Sequence, residues 1–540
     1  FNINTGISEF ANKNKLKFTN SEKYIAQYNE GVSNYNKQYN LQVGDKDYKS
    51  PISNPFGNLP DTNWLDVITQ RGTFTDVDLS FSGGSEKTTY YLGASYLQQD
   101  GVIKTNSMKR YNLNTKLQTE VTPWLTIGTN NNLSYVRNNQ VPGPNLGTTI
   151  IARAIEQRPF DRPYKPNGDY YIGGTEELLR HNPIQILNEQ KTYLDLFRYI
   201  GNVYADIKIL PNLTFRNSIN TDFNYTYDYL YYNEKHPYGT GVGRLVDSKR
   251  TILNLETENI LTYNQNFNDF GLTAMAGHTF QKVTNNTTGI DGRGFPSPTF
   301  DVINVASEIT GATGYVTEYA MESYFSRVTL DYQSKYILNA SIRTDGSSKF
   351  APDTRWGWFP SVSLGWNIDQ EDFMQEVGID AKLRLSYGST GNQEGINNYG
   401  YLSLLSGGND YGLESGISVS SFGNNTLTWE KANQTNFGMD VAFFNRQLTF
   451  SLDIYKKKTN NLLYSMPIHA TSGMSSILTN IGSMENKGIE IALGTDLTFG
   501  DFQWQSNFNI ATNKNKITQL IDNKGEPLSI GGNRALQIGK

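Results

Sequence analysis

The chain has 540 residues, with 47 Lys+Arg against 52 Asp+Glu and a net charge of -5, a balance that excludes a strongly basic nucleic-acid binder. It contains no cysteine, which excludes a disulfide scaffold, a Cys-ligated zinc site, an iron–sulfur cluster and a cysteine nucleophile. Charged residues are sparse at 18%, while aromatics reach 13%, with 34 Tyr and 27 Phe.

In chain order, a first strand is expected near residues 1–9. Thr19-Asn20-Ser21-Glu22 resembles a capping box, and Tyr24, Ile25, Ala26 and Tyr28 follow it. This predicts a helix inside a long connection over 10–73. Strands resume near Phe74, and from there most segments alternate with a period of two. Phe197, Tyr199, Gly201, Val203, Ala205, Ile207 and Ile209 share one face, opposite Arg198, Asn202, Tyr204, Asp206 and Lys208. After Leu210-Pro211-Asn212 the pattern repeats, with Leu213, Phe215, Ile219, Phe223 and Tyr225 opposite Arg216, Ser218, Asn220 and Asp222. Tyr324 to Tyr332, Tyr336 to Ile342, Trp356 to Trp366 and Leu448 to Ile454 alternate likewise, and Gln370 to Val377 is expected as a short helix. About 17 strands are counted, whereas closed single-chain bacterial barrels usually have an even number.

The connections are lopsided. Short turns fall at Gly83-Gly84-Ser85, Thr122-Pro123, Leu210-Pro211, Asn266 to Asp269, Gln333-Ser334, Asn445-Arg446 and Gly500-Asp501. Long polar connections fall at Val141–Gln190, Glu234–Asp247, Asn285–Thr317, Gly391–Glu430 and Ser465–Ser483. Short turns on one rim and long loops on the other describe an all-β transmembrane barrel. No apolar run approaches the ~18 residues of a membrane helix. A mean hydropathy of -0.52 is compatible with a barrel, whose strands need apolar residues only at alternate positions. Tyr225, Tyr227, Tyr229, Tyr231 and Tyr232 crowd one strand end and Trp124 sits beside a short turn, so two aromatic girdles are expected.

Nothing in the chain reads as catalytic. His181, His236, His278 and His469 are the only histidines and are scattered, so no metal site is expected. His278, within the strand-like Gly271–Lys282, reads as a packed or lumenal side chain. The glycine run Gly239, Gly241 and Gly243 lacks the strand-to-helix setting of a phosphate cradle and reads as a loop.

Three groups of motifs occur in order. The first runs from Trp64 to Gly101 and contains Val77-Asp78-Leu79-Ser80-Phe81-Ser82-Gly83-Gly84 and Gln99-Asp100-Gly101. The second contains Arg343-Thr344-Asp345-Gly346-Ser347-Ser348-Lys349-Phe350, Trp358-Phe359-Pro360-Ser361 and Thr390-Gly391-Asn392-Gln393. The third contains Trp429-Glu430-Lys431 and Glu485-Asn486-Lys487-Gly488-Ile489-Glu490. Together they resemble the SusC/RagA family of TonB-dependent outer-membrane transporters.

The resemblance implies a barrel of roughly 22 strands around an N-terminal plug. It implies active import of a large nutrient, an oligosaccharide or a peptide, across the cell outer membrane. A SusD-like surface lipoprotein would act as lid, TonB would pull on the plug, and two transporter–lipoprotein pairs would form a dimer in the outer-membrane lipid. No enzyme activity, cofactor, catalytic residue or nucleic-acid partner is implied, and substrate-contact residues remain unassigned. Residues 1–540 are expected to be part of one barrel: the strand near 1–9, the extracellular segment 10–73, then strands and loops over 74–540. The N-terminal plug and the C-terminal strands are expected to be missing from this chain. Arg198, Arg216, Arg327 and Arg343 are expected to face the lumen, because arginine on the lipid face near the midplane costs ~2–4 kcal/mol. Their expected role is lumen solvation and plug docking ahead of substrate contact. The alternatives are a TonB-dependent importer of siderophores or another small chelate, and a secreted β-rich adhesin or carbohydrate-binding protein.

Overall fold

The computed structural model describes residues 1–11, 17–53, 57, 59–140, 150–175, 178–374, 377–412, 414–520, 528–529 and 535–539. Its strands are β1 (Asn2–Ser8), β2 (Gly72–Gly84), β3 (Thr88–Asp100), β4 (Ser107–Thr122), β5 (Leu125–Asn139), β6 (Gln190–Leu210), β7 (Leu213–Tyr232), β8 (Arg244–Phe267), β9 (Phe270–Arg293), β10 (Glu308–Tyr332), β11 (Tyr336–Ser347), β12 (Trp356–Asn367) and β13 (Asp380–Asn392). There follow β14 (Leu404–Ser406), β15 (Ser418–Ser421), β16 (Glu430–Phe443), β17 (Leu448–Asn460), β18 (Leu463–Pro467), β19 (Ser476–Asn480), β20 (Ser483–Phe499), β21 (Phe502–Gln519), β22 (Leu528–Ser529) and β23 (Ala535–Leu536). Strands β14–β15, β18–β19 and β22–β23 form separate hairpins. The others make one 17-stranded antiparallel meander, each strand paired to its neighbour in chain order. The strand number read from the alternation is therefore the number in the sheet.

The expected short turns all close hairpins on one rim. At Gln333 and Ser334 both backbones are left-handed (φ 53° and 56°), the conformation whose twist matches that of the flanking strands. The opposite rim carries the long segments, with two exceptions, the short β3–β4 and β11–β12 connections. Asn285–Thr317 is not a loop throughout. Strand β9 continues to Arg293 and β10 starts at Glu308, so the connection is 294–307. The Thr-, Asn- and Gly-rich ends of these strands stay paired, as Thr288↔Gly314 and Asn286↔Val316, with one register shift between Ile309 and Gly311. Both faces are wet there, so the apolar half of the alternation disappears while the ladder persists.

Helix α1 (Ser21–Gln38) lies in the first long connection. Its cap is Asn20, whose side chain accepts from the Lys23 N–H at 3.0 Å, one residue later than the Thr19 box implies. The expected helix at Gln370–Val377 is instead a single 3₁₀ turn, Ile368–Gln370; residues 375–376 lie outside the described ones. Short helices α2 (Trp64–Ile68), α3 (Ile150–Ile155) and α4 (Pro183–Asn188) come from the first and second long connections. They pack Trp64, Leu65, Ile68, Ile150, Leu178, Ile184 and Leu187 into one buried core. The rim therefore has its own globular packing above the sheet.

Register sorts the strands into two faces. Trp366, Leu364 and Val362 of β12 oppose Leu383, Leu385 and Tyr387 of β13, which oppose Met439, Phe437 and Thr435 of β16. This outer face is apolar. A ring of aromatics marks the short-turn rim: Trp124, Phe270, Tyr332, Tyr336, Trp366, Phe444, Phe502 and Trp504. Phe270 stacks on Tyr332 (4.5 Å), Tyr332 on Tyr336 (6.3 Å) and Tyr336 on Trp366 (6.3 Å). Glu371 accepts from the Tyr336 hydroxyl at 2.6 Å and from the Trp366 indole at 3.1 Å, and these bonds, Tyr336 first, hold its carboxyl below the usual range. A second ring contains Tyr96, Tyr111, Tyr135, Tyr324, Trp356 and Trp358, with Tyr96–Tyr111 at 4.9 Å and Tyr324–Trp356 at 6.2 Å. From Trp366 to Trp356 the chain climbs ~25 Å at ~3.3 Å per residue and ~40° tilt, the height of an outer-membrane apolar band.

Of the β7 tyrosines, Tyr225 lies in register with Tyr135 of that ring through Phe197. Tyr229 and Tyr231 stand above the ring, contrary to expectation. Tyr229 and Tyr231 are buried beneath segment 294–307. The Tyr229 hydroxyl donates to the Asp301 carbonyl at 2.6 Å, and Tyr231 packs edge-on to Phe295 at 5.2 Å. Strand β7 overshoots the membrane, and its aromatic end serves the rim core.

Candidate transport lumen and rim

The second face of the sheet is polar and forms the candidate lumen wall. All four arginines singled out from the sequence lie on it, and each is held by the wall itself. Arg198 pairs bidentately with Asp222 (3.0 and 2.8 Å). Arg216 pairs with Asp206 (2.5 and 2.6 Å) and lies over Tyr204. Arg343 donates to Asp345 (2.7 Å) and to the Ser323 hydroxyl (2.9 Å) over the Phe325 ring. Arg327 donates to the Asn339 side-chain oxygen at 3.2 Å. Pairs this exposed are worth ~0–1 kcal/mol each. Their consequence is geometric: they fix long side chains flat against the wall.

Sequence reasoning passed over a fifth arginine. Arg384 of β13 bridges Asp440 of β16 (2.7 Å) and Asp453 of β17 (3.1 Å), while Ser451 and Asn436 donate to the same carboxylates. Three strands must align to make this group, so no local pattern announces it. Gly438 lies directly under the guanidinium, where a Cβ would meet Arg384 Cζ at 2.5 Å. Arg384→Met should leave two carboxylates facing one another and cost ~1–3 kcal/mol. The shift in unfolding temperature of the heat-modifiable barrel measures it, and adding Asp453→Asn should recover part of the loss. Equal stability of both variants would deny the triad a structural role.

Across β4 to β9 the wall carries a belt of amides. Asn132 donates to Asn114 (2.5 Å), Asn130 to Asn202 (3.0 Å), Asn220 to Glu256 (3.1 Å) and Gln281 to Asn254 (3.0 Å). The belt borders a shallow depression of about 460 Å³ together with Lys116, Ile200 and Asp222. An amide offers two donors and an acceptor, so each pair retains hydrogen-bonding capacity towards the lumen. The triplet Asn130-Asn131-Asn132 was the available signal. Its middle member faces outward and is satisfied by the Tyr199 hydroxyl (2.8 Å) and by its own donation to Thr129 (2.9 Å).

At the rim, Tyr24, Trp64, Asn63, Glu156 and Gln157 border a smaller hollow of about 210 Å³ between the first and second long connections. His181 and His236, far apart in sequence, both touch Tyr238 (5.5 and 5.4 Å). His236 is 1% exposed, stacks on Tyr232 at 4.2 Å and accepts the Tyr238 N–H at 3.0 Å. Burial pushes its imidazole down to about 3. The neutral form is thus the folded form. Its stabilising contribution is complete above the unfolded value near 6.5 and is lost as pH falls from there towards 3, at ~1.4 kcal/mol per pH unit. Proteolysis of segment 233–243 should accelerate between pH 6 and 4, and His236→Gln should flatten that dependence. A wild-type profile that stays level would refute the buried neutral histidine.

Of the two places expected for His278, the lumenal one is excluded: it faces outward, packed beside Tyr324 (4.8 Å) and Glu322 (3.2 Å) at the level of the upper aromatic ring. The glycine run 239–243 forms a loop, with Gly241 and Gly243 left-handed, as expected. Among the described residues no group of His, Asp and Glu is arranged to hold a metal.

An apolar outer face between two aromatic rings, a polar inner face and one elaborated rim define the wall of an outer-membrane β-barrel. The chain belongs to the TonB dependent receptor-like β-barrel family, whose model matches residues 145–534. It is similar to TonB-dependent receptor P39 of Formosa agariphila, at 31% identity over 91% of this chain and 47% of that one. It is also similar to TonB-dependent receptor SusC of Bacteroides thetaiotaomicron, at 29% identity over 97% of this chain and 56% of that one. Among solved structures it resembles the RagAB peptide importer in its closed-closed state, with a TM-score of 0.84, 25% identity and coverage of 99% of this chain and 63% of the other. The chain spans about half the length of the curated relatives it matches.

Proposed function

We propose that this chain forms the wall, rim and lid-docking loops of a TonB-energised importer of large nutrients, oligosaccharide or peptide, paired with a SusD-like surface lipoprotein. The observation that carries this is the superposition of nearly the whole chain, loops included, on a peptide importer, together with the similarity to SusC. In this reading residues 1–540 are one part of a single barrel, with the plug elsewhere in the protein. Strands β1 and β21 do not pair with one another among the described residues, and hydrocarbon does not tolerate open edges. Further strands would therefore complete the wall. The protein would move cargo without transforming it, in pairs of transporter–lipoprotein units. The amide belt and the rim hollow suit a cargo rich in hydroxyl or amide groups.

The test is extraction of the protein from its native outer membrane, identification of what travels with it, and growth of a deletion strain on single nutrients. Co-purification of a SusD-like lipoprotein and loss of growth on one glycan or peptide source are expected. A transporter that travels alone and whose loss affects growth only under iron limitation would overturn this in favour of a small-chelate importer.

A further inference from the structure

We propose that the outer face of β17, β20 and β21 binds the phosphate-bearing headgroup of an outer-leaflet lipid through Lys456, Lys487 and Lys514, flanked by Lys458 and Lys516. On all three strands the outward positions are mostly apolar up to one level, and lysine appears beyond it. Ile454 gives way to Lys456 and Lys458, Ile489 to Lys487, and Ile510 and Thr512 to Lys514 and Lys516. Register then brings these lysines together. Lys456 stands opposite Lys487, and Lys487 opposite Lys514. In the next outward row Glu485 lies between Lys458 and Lys516. Like charges directly opposite one another in a sheet repel. Glu485 is the single carboxylate in the group, and it serves Lys456 (3.1 Å) and Lys487 (2.7 Å). Among the described residues Lys458, Lys514 and Lys516 have no carboxylate within ion-pair distance.

Lys282, at a comparable height, is neutralised by Glu318 (3.1 Å), and Arg137 is held by Asp195 (3.7 Å). The lysine group instead sets Lys456, Lys458, Lys487, Lys514 and Lys516 against Glu485 alone. Its height says what supplies the counter-charge. Lys514 lies as far above Trp504, in the lower aromatic ring, as Trp356 lies above Trp366. That is the plane where lipid headgroups begin, and clustered lysines at such a plane attract anionic lipid. The apolar rows Phe450, Leu493, Phe508 and Ile454, Ile489 below would receive the acyl chains.

The inference rests on the membrane placement of the barrel, not on the cargo, so a failed uptake assay leaves it standing. The full-length transporter in detergent would be titrated with monophosphoryl lipid A or with phosphatidylcholine and the bound lipid read by native mass spectrometry. The K456Q/K487Q/K514Q variant should lose monophosphoryl lipid A adducts at least fivefold. K456R/K487R/K514R should keep them, as should K23Q/K46Q/K49Q, which removes equal charge from the first long connection. The heat-shift of the folded barrel checks each protein, and single K514Q serves if the triple variant does not fold. Equal adducts in wild type and K456Q/K487Q/K514Q, or an equal drop in K23Q/K46Q/K49Q, would overturn the site. So would an acidic protein that leaves with the lysines while lipid binding stays unchanged.

Discussion

Leu385→Arg should abolish the folded barrel, while Ser386→Arg, one position along, should leave it intact. Leu385 lies outward on β13 between Leu364 and Phe437, 48% exposed with no protein above it, about midway between the two aromatic rings. Exposure of that size on an apolar row is what a lipid-facing position requires. A guanidinium there costs ~2–4 kcal/mol at the membrane midplane. Ser386 faces the other way, between Ser363 and Asn436, where an arginine finds water and amide acceptors. Heat-shift electrophoresis of refolded protein in lipid separates the two. Similar behaviour of both variants would mean that the faces are assigned wrongly.

Trp429→Ala should free the rim segment 393–429 without unfolding the sheet. Trp429 is 4% exposed and packs against Phe350 (5.0 Å) and Phe359 (5.6 Å), with Ile396 and Leu427 completing the core. Its indole donates to the Arg355 carbonyl at 2.8 Å, tying the start of β16 to the β11–β12 connection. Truncating a buried tryptophan costs ~3–5 kcal/mol. A rim segment has only its own core to lose, so most of that cost should appear as local opening. Limited proteolysis should cut 393–429 at least tenfold faster, with the heat-shift unchanged. Trp429→Phe should sit between, having lost the hydrogen bond but kept most of the packing. Unaltered proteolysis in Trp429→Ala would show that this core does not hold the segment.

Much of the architecture is written locally. A side-chain period of two belongs to any extended chain, so Phe197 to Ile209 declares both its strand and its faces without knowing its neighbours. Tight turns are equally local, and Gln333-Ser334 lies where the alternation breaks. The polar side of the same alternation placed Arg198, Arg216, Arg327 and Arg343 on the wall. The ends of β9 and β10 were illegible because water on both faces removes the contrast that periodicity depends on. Tyr229 and Tyr231 of β7 misled for a related reason: composition shows a ring of aromatics but not its height above the bilayer.

The sequence by itself thus determined the class of fold, the sidedness of each strand and which rim is elaborated, because these follow from the geometry of one strand and one turn. Only the tertiary structure decided what meets across strands. Asp301 covers Tyr229 from 72 residues away, Arg384 spans Asp440 and Asp453, His181 and His236 share Tyr238, and three lysines fall into one row. Those meetings depend on register and on where each long connection folds back. Both are settled by the summed pairing and packing of distant segments, so no single stretch of the chain contains them.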